Sequence, residues 1–133
     1  MSDLEDEKLN EIKLHDVIRR IKKFADKNYD YIFTHGKNGE YGHIRHIDVN
    51  KAVMQMVSNK DLSAKKIFFF AYTKRGKVCC AKKKSDKFIK LNDSQLKLKK
   101  KIIQQIYGFN KNGFEDLCCR DTEAFLIKEV KSN

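Results

Sequence analysis

Residues Tyr29 to Tyr72 read YDYIFTHGKNGEYGHIRHIDVNKAVMQMVSNKDLSAKKIFFFAY, and this stretch decides the fold. Tyr29–Thr34 is short, aromatic and rich in β-formers, the composition of a buried strand. His35–Arg45 is a loop that must turn on glycine and asparagine, because the chain has no proline. From Asp48 to Lys60 the apolar residues Val49, Val53, Met56 and Val57 fall at helical spacing. Lys66–Tyr72 (KIFFFAY) is apolar without alternation, as expected of a strand covered on both faces. Strand, helix and strand in that order form one crossover, so the two strands are expected to run parallel.

Outward from this unit the periodicity continues. Leu9, Ile12, Val17, Ile18, Ile21, Phe24 and Ala25 draw one stripe on a helix from Glu5 to Lys27, with Ser2 or Asp3 as its cap. Downstream, Val78–Ala81 and Phe88–Leu91 suggest a lysine-rich hairpin. A helix from Ser94 to Tyr107, capped by Ser94, would bury Leu98, Ile102, Ile103 and Ile106. Ala124–Val130 reads as a last strand. There is no internal repeat and no domain boundary, so residues 1–133 are expected to form a single domain. The expected class is α/β, three-layered, with a mostly parallel sheet.

The 133 residues carry 29 Lys plus Arg against 18 Asp plus Glu, a formal charge of +11. Residues 65–101 hold 14 basic and 2 acidic side chains, so the middle third supplies the whole excess. Such a segment can meet phosphate, yet only five of the basic residues are Arg, the side chain that suits bidentate recognition. A nucleic-acid partner is therefore not expected. The longest uncharged apolar run, Ile67–Tyr72, is far below the roughly 20 residues of a membrane-spanning helix. The acidic opening residues have the wrong sign for a leader, so a cytoplasmic protein is expected. Cys79-Cys80 and Cys118-Cys119 lack zinc-knuckle spacing and are expected to be reduced, buried or half-buried thiols.

The chemistry concentrates in Phe33–His46, FTHGKNGEYGHIRH, at the carboxyl end of a strand, where open α/β sheets bind ligands. Three of the four histidines lie there: His35, His43 and His46. The string Thr-His-Gly-x-Asn-Gly-Glu-Tyr-Gly-His-x-x-His, followed by an amphipathic helix, resembles the second signature of the PIG-L/LmbE family of zinc-dependent N-acetylglucosamine deacetylases. KIFFFAY and the later LKKKIIQQIYGFN, GFE and EAF segments look like that family's C-terminal half.

The resemblance implies a Rossmann-like fold, truncated relative to the family, and hydrolysis of an acetamide on a GlcNAc-type sugar. It implies that His46 is a zinc ligand and that His43 is catalytic, donating to the oxyanion or the leaving amine. His35 is a candidate for supporting a ligand from outside the metal's own set. Glu40 and Tyr41 are expected to shape the loop. The family's Pro-Asp between the two histidines is Ile44-Arg45 here, which brings a cation close to a cation site. Its His-Pro-Asp-Asp signature, source of two further ligands and the general base, is absent. The expectation is thus a deacetylase lacking half of its catalytic site, with zinc held weakly or not at all by this chain alone. A separate N-terminal half, or a second copy joined at an exposed sheet edge, is the expected partner. The alternative is a non-enzymatic basic module that binds an anionic partner through Lys65–Lys101.

Overall fold

A computed structural model describes residues 13–131. The chain runs through α1 (Leu14–Phe24), β1 (Asn28–Thr34), α2 (Gly39–Gly42), α3 (Ile44–Ser58), β2 (Ser63–Phe70), β3 (Tyr72–Arg75), β4 (Val78–Ala81) and β5 (Lys87–Lys90). It continues through α4 (Asp93–Lys101), a π-helical turn (Ile102–Ile106), α5 (Phe114–Cys118) and β6 (Thr122–Glu129). The fold is mixed α/β. The first eight residues of the expected N-terminal helix, Glu5 to Ile12, lie with its caps outside the described residues.

The crossover forms as expected. β1 and β2 are parallel, with Ile32 beside Ile67 and Phe33 beside Phe68. The rest of the sheet departs from expectation. Its order is β1-β2-β6-β5, and β6 runs antiparallel to both β2 and β5. One pairing of three is parallel, so the sheet is mixed rather than mostly parallel. β6, reached through α4, the π-helical turn and α5, inserts between β2 and β5 and runs opposite to the other three strands.

Pairing in the middle of the chain also differs. Val78–Ala81 pairs with Tyr72–Arg75, closing a two-residue Gly76-Lys77 turn with Arg75 beside Val78. Gly76 takes a positive φ of 59°, the conformation such tight hairpins need at their first turn residue. The strand expected at Phe88–Leu91 is β5, which joins the main sheet instead.

Period-two alternation gives the sheet two unlike faces. On one face α1 and α3 pack together. Val53, Met56 and Leu62 are buried there, with Ile18, Ile21, Ala25, Ile32, Val49 and Val57 around them. Met56 and Ile67 are the largest fully enclosed side chains. The opposite face is aromatic. Phe33 stacks on Phe68 with centroids 4.7 Å apart, Tyr31 meets Phe68 edge-on at 5.7 Å, and Phe125 meets Phe33 and Phe68 at 5.7 and 5.8 Å. Tyr31 and Phe33 remain 56% and 57% exposed, because β1 is an edge strand with one partner.

α3 begins at Ile44, four residues earlier than periodicity indicates. α4 is capped by Asn92 rather than Ser94: the Asn92 side chain accepts from Gln95 N–H while the Gln95 side chain accepts from Asn92 N–H. Leu98 and Ile106, expected in the core, are 58% and 75% exposed, and α4 buries none of its residues.

Candidate metal centre

The loop leaves β1 at Thr34, and several of its bonds converge on Glu40. Gly36 passes so close to β2 that an added Cβ would stand 2.6 Å from the Phe70 carbonyl oxygen. Only glycine fits there. Asn50 on α3 donates to the His35 carbonyl at 2.8 Å, tying loop to helix. The Asn38 side chain accepts from Glu40 N–H at 3.2 Å and donates to the Tyr72 carbonyl at 2.9 Å, tying loop to hairpin. Held at both ends, Glu40 adopts φ 63° and ψ −60°, a conformation that costs a non-glycine residue about 1–3 kcal/mol. Strain in a well-anchored loop is what a positioned functional group looks like.

The Glu40 carboxylate is buried and is the hub of the loop. Oε1 accepts from Gly36 N–H at 2.7 Å, and Oε2 accepts from His35 Nδ1 at 2.9 Å. His46 Nδ1 stands 2.5 Å from the same Oε2, yet this buried nitrogen has no hydrogen-bond partner. The contact is close without being directed along an N–H. Burial alone would push the Glu40 pKa upward. The His35 bond, the His46 nitrogen and the Gly36 N–H outweigh it and hold the carboxyl at about 2, against an ordinary 4.5.

The rings of His35 and His46 lie nearly parallel with centroids 3.9 Å apart, and the Nδ1 atoms of both face Glu40 Oε2. One donor atom each from His35, Glu40 and His46 fall within 4.8 Å of one another. Two imidazoles and one carboxylate suit zinc or another divalent first-row ion, and three protein donors are the usual set for a catalytic zinc. The residues present fit a metal, on the strength of this close grouping of two imidazoles and a carboxylate.

His46, the residue the sequence singles out, lies in this group. His35 sits beside it, in the same group of possible donors. His43 takes another place. Its Nδ1 accepts from Arg45 N–H at 3.2 Å and so caps α3, which explains that helix's early start. Its ring stacks on His46 at 4.4 Å, but His43 is not among the residues lining the cleft below. The two rings are neighbours that do not share one opening. Arg45 is buried and turned along α3, its Nη1 3.3 Å from Asp48 Oδ2.

Glu40 is the group that sequence reasoning placed among loop-shaping residues. The signal for it was there: one acidic residue in a loop with two glycines before it and a histidine on either side at five and six positions. Tyr41 meets His46 edge-on at 5.6 Å and Phe114 at 5.0 Å, connecting the centre to α5.

The centre opens into a cleft of about 550 Å³. Phe70, Ile103, Tyr107, Phe109 and Phe114 give it apolar walls. A second polar group lines it too: Tyr72 Oη donates to Glu123 Oε2, and Lys99 pairs with Glu123 Oε1. Burial and the bond to Glu123 raise the Tyr72 pKa. Cys79, Cys118 and Cys119 complete the wall, and all four cysteines are free thiols. No family model, curated protein or solved structure matches the chain.

Proposed function

We propose that this chain carries the metal-binding part of a PIG-L/LmbE-like N-deacetylase, which hydrolyses an acetamide on a GlcNAc-type sugar. The observation that carries the reading is the close grouping of His35, Glu40 and His46. The resemblance of the FTHGKNGEYGHIRH loop adds the reaction class. The three-layer, Rossmann-like arrangement, the cytoplasmic location and the missing N-terminal partner belong to the same proposal.

Bound by these three side chains, zinc would supply Lewis acidity toward the acetamide carbonyl and a nucleophilic water near neutral pH. The chain's own residues have distinct tasks. Glu40 keeps its charge under all ordinary conditions, so it holds His35 and His46 in place and balances a cation. The aromatic walls exclude water and accept the apolar face of a sugar. Glu123, oriented by Tyr72 and Lys99, lines the cleft together with Glu40 and Glu115, and is the carboxylate to which proton transfer is assigned.

Metal analysis after chelation and reloading tests the site. The whole chain should retain one equivalent of zinc, and His46→Ala should retain none. Release of free amine from an N-acetylglucosamine conjugate tests the reaction, with and without a second polypeptide bearing a His-Pro-Asp-Asp loop. Failure to take up zinc, or equal uptake by His46→Ala, would refute the site. Uptake without amine release in either mixture would refute the deacetylase assignment alone.

A further inference from the structure

We infer that the α4 and π-helical segment docks on an anionic lipid bilayer, with its apolar residues entering the headgroup region and its lysines meeting lipid phosphates. The inference is independent of the metal centre. It rests on the helix that ought to be in the core and is not.

Leu98 and Ile106 follow each other two turns apart on the same solvent-facing stripe, 58% and 75% exposed. Tyr107 and Phe109 extend it, 66% and 39% exposed, with their rings stacked 6.4 Å apart. Leu117 on α5 adds another exposed apolar side chain at 47%. Scattered exposed leucines are ordinary, but a run of large apolar residues along an element that buries nothing marks an interaction surface.

The charge around that stripe selects its occupant. Lys97, Lys100 and Lys101 are on the same helix, and none of them is ion-paired among the described residues. Elsewhere in the chain, the hairpin and turn Thr73–Lys84 carry Lys74, Arg75, Lys77, Lys82, Lys83 and Lys84 without an acidic residue. A protein groove of opposite charge could match the lysines. A bilayer matches both parts at once, since acyl chains take Leu98 and Ile106 while tyrosine favours the interfacial layer. Lysine predominance agrees as well, because a diffuse layer of lipid phosphates asks for charge density rather than bidentate geometry. No helix among the described residues is long and apolar enough to cross a membrane, so the contact is peripheral. Tyr107 and Phe109 also line the cleft, which docking would bring to the lipid surface.

The test is co-sedimentation of the full chain with phosphatidylcholine vesicles, with and without about 30% phosphatidylserine, at about 0.1 M salt. Binding is expected only to the anionic vesicles. The double variant Leu98→Ser/Ile106→Ser should weaken it about tenfold, since both side chains would lose an apolar environment. Both residues are largely exposed, so the fold is expected to survive, and circular dichroism checks this. Lys97→Glu/Lys101→Glu should weaken binding by a similar factor and flatten its salt dependence. No binding to anionic vesicles would overturn the inference. So would unchanged binding by the serine variant, which would make the surface a plain polyanion site.

Discussion

Replacing Glu40 by glutamine keeps the side chain's size and removes its charge, so it isolates what the carboxylate contributes to the loop. The carboxyl pKa is held at about 2 against 4.5 for an ordinary Glu. That gap corresponds to about 3 kcal/mol of stability at neutral pH. The sign follows from the direction. A lowered pKa means the folded state prefers the ionised form, so the contribution is fully present above pH 4.5 and fades as pH falls toward 2. Urea unfolding of the wild-type chain and Glu40→Gln should therefore differ by about 2–3 kcal/mol at neutral pH and converge near pH 2. Other carboxylates titrate in the same range, but they are common to both proteins and cancel in the difference. Glu40→Gly would lose the same charge while relaxing the positive-φ backbone, and should be about 1 kcal/mol more stable than Glu40→Ala. A neutral-pH difference below about 0.5 kcal/mol, or one that does not change with pH, would refute the assignment of Glu40 as the charged hub.

Three further outcomes are expected. His43→Ala should cost about 1 kcal/mol by uncapping α3 and leave zinc uptake intact, whereas His43→Ser should restore most of the stability, both read by urea unfolding and metal analysis. Cys79, with its thiol pushed up to about 11 by burial, should react with a thiol reagent at mildly alkaline pH well after half-buried Cys80, as peptide mass mapping would record. At about 100 μM the chain should self-associate through the open edge of β1, and Tyr31→Lys should return it to monomer in sedimentation velocity; a wild-type monomer would refute this.

The parts of the fold that were legible in the sequence are those set by local periodicity and turn chemistry. The parallel pair follows from two apolar runs and one helical stripe, so Ile32 and Ile67 were found with their helix. The order of the later strands was not legible. Tyr72–Arg75 has too few apolar residues to read as a strand until Val78–Ala81 folds back on it, and the strand at Lys87–Lys90 gives no sign of which edge it will join. α4 misled because its spacing is that of a buried helix, while burial depends on having a partner surface, and none among the described residues covers Leu98. In the loop, His46 was singled out by the resemblance of its motif, since spacing alone is weak evidence. Glu40 was visible as a lone acidic residue among glycines and histidines, but its place at the hub was not, because that depends on a strained backbone and on a carbonyl of Tyr72 contributed 32 residues later.

All three candidate donors come from a single span of 12 residues, His35 to His46, within one crossover. A centre assembled from distant strands vanishes on unfolding, and its metal then stabilises the native state in full. Here the unfolded chain keeps its donors close together and retains some affinity of its own. The rise in melting temperature on adding zinc should accordingly be smaller than the native dissociation constant implies. A synthetic peptide covering Phe33 to Asp48 would measure the shortfall directly.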